Sequence, residues 1–148
     1  GIEHRLELVR DVNGTRWYND SIATAPERSL AAMRSFEEPV VLLAGGRDKN
    51  LPWDGFVEEA LRRLRRLIVF GEAGPMIAKR MEEAMRADTA ARLEQVTRVG
   101  TLEEAVEEAA RAARSGDVVL LSPGGTSFDA FQDFAERGAR FKDLVQAL

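Results

Sequence analysis

Short apolar runs that alternate with amphipathic segments are the feature that most limits how this 148-residue chain can fold. The runs at residues 39–44 and 118–121 end in glycine-containing polar loops, which is typical of buried parallel strands. The segments between the runs carry apolar residues at helical spacing. After an initial hairpin, strands alternate with helices four times, which predicts an α/β fold with a mixed, mostly parallel sheet covered on both faces.

Turn and capping residues predict where these elements begin and end. Asn13-Gly14 favours a type I′ turn in an N-terminal β-hairpin, Pro26 suits the first turn of a helix, and Thr101 with Glu104 forms a capping-box pattern. The last strand gives way to an amphipathic helix that opens at Thr126 or Ser127. We expect hairpin strands at 5–12 and 15–18, later strands at 39–44, 67–70, 93–96 and from 118, and helices at 26–35, 54–66, 75–87, 101–114 and from about 127.

Composition excludes several classes of protein. The net charge is −4 and the charges are mixed along the helices, so we expect no nucleic-acid partner. There is no cysteine and only one histidine, His4, so we expect no metal site and a reducing, cytoplasmic location. No apolar run reaches the roughly 20 residues of a membrane span. The length fits one domain, residues 1–148, and the lack of an initiator Met predicts that it is a fragment of a longer chain.

Three polar loops follow what we expect to be carboxyl ends of strands, where ligands of such sheets bind: residues 19–24, 45–49 and 122–127. A helix opening near Ser127 would point free N–H groups at a carboxylate or phosphate, although its hydroxyls can equally serve as helix caps. Lys49 is either an anion-binding cation or an ordinary exposed lysine. Asp20 is most simply an Asx-turn residue, and Trp17 a core residue. Both Walker A and GxGxxG sequences are absent, which argues against an ordinary dinucleotide-binding domain.

Four motifs in order resemble the C-terminal domain of the Mur ligase family, in its D-glutamate-adding branch. They are HRLE at residues 4–7, NGTRWYNDSIAT at 13–24, LLAGGRDK at 42–49 and LLSPGGTSFDAFQDFAERGARF at 120–141. The resemblance spans essentially the whole chain. It implies a Rossmann-like three-layer sandwich with about six strands, and an amino-acid-binding domain of a larger ligase.

The resemblance also implies a reaction and its partners. In the family, ATP phosphorylates a carboxylate of the acceptor, UDP-N-acetylmuramoyl-L-alanine, and the amine of D-glutamate attacks the acyl phosphate. ATP and magnesium bind mainly to a central domain that this chain lacks. We therefore expect no catalytic residue here, an inactive isolated domain, and a monomeric protein of peptidoglycan synthesis.

Residue by residue, the resemblance assigns two groups of positions. Arg5 and Asp20 match positions that face the nucleotide, and they should look idle in the isolated chain. The positions around glutamate are matched by Thr24, Lys49, Ser127, Phe128 and Phe134. Lys49 offers a charge, Thr24 and Ser127 offer hydroxyls, and the Phe128 N–H is expected at the helix N-terminus.

Two departures from the family pattern concern the loops. Ile22 stands where the family often has Lys, and Gly124-Gly125-Thr126 stands where it often has Ala-Cys-Ala. The second change favours Thr126 as the helix cap and leaves Ser127 for substrate. Together, the two changes leave open a relative specific for L-glutamate. A separate alternative is a freestanding anion-binding module without chemistry that uses the same helix N-terminus.

Overall fold

The computed structural model describes residues 2–148, which form six strands and five helices in alternating order. The strands are β1 Glu7–Val12, β2 Thr15–Asn19, β3 Val40–Gly45, β4 Leu64–Phe70, β5 Gln95–Arg98 and β6 Val118–Gly124. The helices are α1 Pro26–Met33, α2 Asp54–Arg63, α3 Gly74–Ala87, α4 Leu102–Ala112 and α5 Phe134–Gln146.

The strands form one mixed sheet in the order β1-β2-β6-β3-β4-β5, and only the β1–β2 pair is antiparallel. This confirms the predicted fold class and the N-terminal hairpin. At the hairpin turn, Asn13 and Gly14 have φ values of 53° and 85°, as a type I′ turn requires. The last strand, β6, lies between β2 and β3, so the carboxyl ends of these three parallel strands meet at one edge.

Helices cover both faces of the sheet because the central strands are apolar on both sides. In β3, Val40 and Leu42 pack toward the core beneath α1, α2 and α3, whereas Val41 and Leu43 pack toward α4 and α5. Trp17 is 1% exposed and lies in the second core, as predicted. Within residues 2–148, no helix combines the length and the apolar character needed to cross a membrane.

The predicted boundaries of α2, β4 and β5 were wrong. Helix α2 ends at Arg63 and not at residue 66, because Leu64 pairs with Val40 and starts β4 three residues earlier than expected. Two arginines follow Leu64, and because charged residues are unusual in a buried strand, the sequence did not indicate that β4 begins there. Strand β5 begins at Gln95, since the backbone of Leu93 is still bonded to the Leu61 carbonyl.

The start of the last helix was also wrong. Helix α5 begins at Phe134, and its N-cap is Asp133, whose side chain accepts a hydrogen bond from the Glu136 N–H at 2.8 Å. The residues from Ser127 form a single turn, in which the Ser127 carbonyl accepts from the Phe131 N–H at 2.7 Å. Neither Thr126 nor Ser127 is therefore the cap of α5.

A bulge shapes the carboxyl end of β6. The β3–β6 register moves from Leu43↔Leu121 to Gly45↔Gly124, so β6 uses one more residue than β3. Pro123 lies in this interval and has no N–H to donate to the sheet, which explains why the ladder is interrupted there. The bulge begins the turn of the chain into the loop that follows β6.

Candidate functional site

Three loops leave the carboxyl ends of the adjacent strands β2, β3 and β6. We name them the first loop (residues 20–25, before α1), the second loop (46–53, before α2) and the third loop (125–133, before α5). Parallel strands place these loops at the same edge of the sheet, where ligands of α/β folds commonly bind. The structure therefore confirms that the three predicted loops lie at one edge of the sheet.

Backbone hydrogen bonds join the loops directly. The Gly124 N–H, at the end of β6, donates to the Ala23 carbonyl of the first loop at 2.9 Å. Arg47 of the second loop and Thr126 of the third exchange two N–H···O bonds of 2.8 Å each. A Cβ atom on Gly46 would lie 2.2 Å from the Thr126 carbonyl oxygen, so this close approach requires glycine.

The three loops bring their predicted polar donors to the same edge. Thr24 directly follows Ala23, Lys49 lies two residues beyond Arg47, and Ser127 directly follows Thr126. Within residues 2–148, none of the three predicted side chains makes a hydrogen bond or ion pair. Lys49 is exposed, whereas Ser127 is 1% exposed. The Lys49 ammonium group and the half-buried Thr24 hydroxyl are therefore accessible to an anion, whereas the Ser127 hydroxyl is unpaired but buried.

The two phenylalanines predicted at the site differ in their surroundings. Phe128 is 61% exposed and lies in the turn that starts at Ser127, and its N–H has no partner within residues 2–148. The N–H predicted at a helix N-terminus is thus free, but it belongs to a single turn. Phe134 is half-buried at the start of α5, with its ring edge-on to His4 at a centroid distance of 6.0 Å.

The second loop is held by a side-chain bond beside Lys49. The indole N–H of Trp53 donates to Asp48 Oδ1 at 3.0 Å, and Trp53 is 2% exposed. The indole ring also packs against Gly124, because a Cβ atom there would lie 2.9 Å from it. The backbone next to Lys49 is therefore fixed, while the lysine side chain remains in solvent.

Asp20 is not idle in this chain, contrary to expectation. Its carboxylate accepts hydrogen bonds from the Leu6 N–H at 3.0 Å and from the Ser122 hydroxyl at 2.7 Å. Burial raises the pKa of Asp20, although these donors and the nearby charges of Arg5 and Arg28 act in the opposite direction. The Asx turn predicted here belongs to Asn19, whose side-chain oxygen accepts from the Ser21 N–H at 3.1 Å.

Arg5 lies beside Asp20 and has a free side chain. It is exposed, and within residues 2–148 its guanidinium group has no hydrogen-bond partner. Arg5, Asp20 and Ile22 line a cavity of about 200 Å³. An adjoining cation and carboxylate are thus present at the positions expected to face the nucleotide, with only Arg5 free to reach a ligand.

Sequence reasoning missed Arg137. This residue of α5 is 1% exposed, and its guanidinium group donates to the Ser21 hydroxyl at 3.0 Å, the Ser21 carbonyl at 2.8 Å and the Gly125 carbonyl at 3.1 Å. Burial lowers its pKa to about 10. In the sequence, Arg137 lies among charged residues and is indistinguishable from a solvated helix face.

A cavity next to the predicted residues does not contain them. Its volume is about 460 Å³, and it is bounded by the ends of β4 and α4, by the third loop and by α5. Its charged residues are balanced in number, with three arginines and three carboxylates: Arg47, Arg137, Arg140, Glu72, Glu103 and Asp129. Thr24, Lys49 and Ser127 lie outside its lining.

The chemistry available at this edge is that of anion binding. An ammonium group, two hydroxyls and free N–H groups together favour a carboxylate or a phosphate. In the described residues 2–148, no cluster of three or more acidic, histidine or cysteine side chains could hold a metal ion. The arrangement can therefore hold and orient an anionic molecule.

Comparison with known proteins identifies relatives over the whole chain. The family profile described as "Mur ligase, glutamate ligase domain" matches residues 4–125. The UDP-N-acetylmuramoylalanine--D-glutamate ligase of Acetivibrio thermocellus is 42% identical over 148 residues, which are all of this chain and 32% of the relative. The enzyme of the same name from Symbiobacterium thermophilum is 45% identical over the same length, 31% of that relative. The chain thus spans about a third of the length of these relatives.

Solved structures share the fold. A murein peptide ligase from Psychrobacter arcticus matches all of this chain with 31% of its own, at a TM-score of 0.69 and 14% identity. A folylpolyglutamate synthase from Thermotoga maritima matches all of this chain with 32% of its own, at a TM-score of 0.62 and 16% identity. At these identities the likeness concerns the fold alone.

Proposed function

The chain belongs to the Mur ligase family, and we propose that it is the C-terminal, amino-acid-binding domain of a ligase that adds D-glutamate to UDP-N-acetylmuramoyl-L-alanine in peptidoglycan synthesis. The names of relatives that are 42% and 45% identical over its full length support this assignment. The domain would act within a larger, ATP-dependent enzyme, since the chain spans only about a third of those relatives.

The observation that supports glutamate binding best is the set of free donors on three joined loops. Glutamate carries two carboxylates, and Lys49, Thr24 and Ser127 offer a charge and two hydroxyls that no residue within 2–148 uses. Hydrogen bonds from an ammonium group to a carboxylate are among the stronger ones in proteins. The free Phe128 N–H would add a donor, and the Phe134 ring would form an apolar wall.

In this proposal, the chain's own residues bind and orient the substrate. Holding both carboxylates fixes the direction of the amine, and such positioning accounts for much of the rate of a two-substrate reaction. ATP, when bound, supplies the activation of the acceptor carboxylate. We assign ATP and magnesium mainly to the part of the ligase outside this chain, so the isolated chain should form no amide bond.

We assign different roles to Arg5 and Asp20 at the proposed nucleotide-binding surface. Arg5 is free and exposed, so it is suited to contact a nucleotide. Asp20 is suited to hold the Arg5 segment in place, because it binds the Leu6 N–H and Ser122 together. The proposal includes a cytoplasmic, monomeric enzyme with roles in cell-wall biogenesis, cell shape and cell division.

The test is the Lys49→Ala variant of the full-length ligase. We expect the KM for D-glutamate to rise roughly 10- to 100-fold, as loss of a charge-assisted hydrogen bond of about 1.5–3 kcal/mol implies, with the KM for ATP nearly unchanged. Steady-state kinetics with D-glutamate and with L-glutamate measures both affinity and stereochemical preference.

Lys79→Ala is the matched control, because Lys79 is also exposed and makes no hydrogen bond within residues 2–148. It should leave both KM values unchanged. Equal rises in the KM for glutamate and for ATP in Lys49→Ala would contradict Lys49 as the carboxylate partner. Activity with L-glutamate but not D-glutamate would identify the enzyme as the L-specific relative.

A further inference from the structure

Arg137 is a buried charge with no carboxylate in direct contact, and the charge of Asp129 acts on it only from farther away. Its exposed fraction is 1%, and within residues 2–148 it forms no ion pair with any carboxylate. Burying a charge is costly, and buried arginines are usually paired with carboxylates. An apolar side chain of similar size would fill the same space at lower cost. The position therefore requires an explanation beyond packing.

The contacts of Arg137 supply that explanation. Its guanidinium group donates to both the hydroxyl and the carbonyl of Ser21, in the first loop, and to the carbonyl of Gly125, in the third. The planar guanidinium group presents its donors in fixed directions, which suits the simultaneous binding of several carbonyls. Arg137 thus joins two of the three loops to α5.

The second loop touches the same group. A Cβ atom on Gly46 would lie 2.9 Å from Nη1 of Arg137, so the backbone before Lys49 packs against the guanidinium group. Ser21 extends the connection on the other side, because its hydroxyl donates to the Phe134 carbonyl at 2.7 Å. All three loops and the start of α5 are therefore in contact with Arg137 or with its partner Ser21.

The neighbouring 460 Å³ cavity does not explain Arg137 as a direct ligand of an anion. The three arginines in its lining are matched by three carboxylates, and Arg47 is already bonded to Glu72 at 2.8 Å. In addition, each nitrogen of the Arg137 guanidinium group already donates to a protein oxygen. The guanidinium group therefore binds the loops and not a ligand in the cavity.

We propose that Arg137 is a positioning residue for glutamate, which holds the first, second and third loops in their binding geometry through Ser21 and Gly125 without touching the substrate. This inference rests on the proposed function, because it concerns the same three loops. It predicts that weakening the hydrogen bonds of Arg137 lowers the affinity for glutamate, even though Thr24, Lys49 and Ser127 are unchanged.

The experiment compares three variants of the full-length ligase by steady-state kinetics. Arg137→Lys keeps the charge but loses the planar set of donors, so the KM for D-glutamate should rise about tenfold while kcat and the KM for ATP change less than about threefold. Ser21→Ala removes one acceptor of Arg137 and should raise the same KM about threefold. The control is Arg140→Ala, because Arg140 is exposed on the same helix and should leave all constants unchanged.

A merely structural role would lower the thermal midpoint and leave the KM for glutamate of the folded enzyme unchanged. An unchanged KM for glutamate in Arg137→Lys, or in Ser21→Ala if Arg137→Lys does not fold, would overturn the inference. Equal effects on glutamate and ATP would overturn it as well. Lys49→Ala, measured in parallel, separates the two hypotheses: if it raises the KM and the other two do not, the glutamate site stands and the role of Arg137 fails.

Discussion

Two buried arginines lie at opposite edges of the sheet and are stabilised in opposite ways. Arg65, at the amino end of β4, binds the carboxylate of Asp117 at 2.5 Å, just before β6 begins. Arg137, at the carboxyl edge, binds only the hydroxyl and carbonyl of Ser21 and the carbonyl of Gly125. Within residues 2–148, Arg65 has a carboxylate in direct contact and Arg137 does not.

This difference distinguishes an edge whose charged groups pair within the chain from an edge that we propose binds a ligand. At the amino edge, Asp117 also accepts the Arg114 N–H at 2.8 Å, so the charge of Arg65 is paired within the chain, although its Nη1 atom has no hydrogen-bond partner within residues 2–148. At the carboxyl edge, the ammonium group of Lys49 is unpaired within residues 2–148, and the buried guanidinium group of Arg137 has no carboxylate within ion-pair distance, although the charge of Asp129 acts on it from farther away. Unused donors at this edge favour an anionic ligand there.

The largest expected effect on stability comes from breaking the ion pair between Arg65 and Asp117 at the amino edge. Asp117→Ala leaves the buried Arg65 guanidinium group with only the exposed Glu94 carboxylate near it, at 3.6 Å, so the free energy of unfolding should fall by about 3 kcal/mol. Urea unfolding of the 148-residue chain measures this loss. In the full-length ligase, the KM for glutamate should remain unchanged, because Asp117 lies at the edge opposite the loops.

The control is Glu108→Ala, which removes the exposed ion pair with Arg111 on α4. Surface pairs contribute little, so this variant should unfold at nearly the same urea concentration as the wild type. If Asp117→Ala raised the KM for glutamate as much as Arg137→Lys does, the distinction between the two edges would be wrong.

A smaller effect concerns the buried carboxylate at the carboxyl edge. Burial raises the pKa of Asp20 above 3.8, despite donation from Ser122 and the Leu6 N–H and the charges of Arg5 and Arg28. The folded chain then binds this proton more tightly than the unfolded chain does, so Asp20 reduces stability as pH rises from about 3.8 through its raised pKa.

Asp20→Asn tests this prediction, because the amide does not titrate. Urea unfolding at a series of pH values should show that the variant loses less stability than the wild type over that window. If the stabilities of the two proteins changed with pH in the same way, the prediction would be wrong. The Asp20 carboxylate would then be no more costly to ionise in the folded chain than in the unfolded one.

Local patterns were sufficient to predict most of the fold. The apolar runs that became β3 and β6 and the Asn13-Gly14 turn are determined by neighbouring residues, and the structure confirms them. The start of β4 could not be predicted in this way, because the burial of Arg65 depends on contacts with distant residues, such as Asp117, which lies 52 residues away. The pattern Asp133-x-x-Glu136 was a usable signal for the start of α5 and was overlooked.

The site could be predicted only in part for the same reason. Strand order places the loops of Thr24, Lys49 and Ser127 at one edge, and alternation along the chain predicts that edge. The burial of Arg137 instead depends on how α5 crosses the first and third loops. Gly138 contributes to this packing, since a Cβ atom there would lie 2.2 Å from Nδ1 of His4. Such a contact between distant segments produces no periodic pattern in the sequence from which it could be predicted.

The most direct test is a crystal structure of the full-length ligase with D-glutamate bound. We expect the carboxylates of glutamate to contact the Lys49 ammonium group and the hydroxyls of Thr24 and Ser127, with Arg137 still bonded to Ser21 and not to the ligand. Glutamate bound in the 460 Å³ cavity beside Glu103 and Arg140, away from Lys49, would contradict this account.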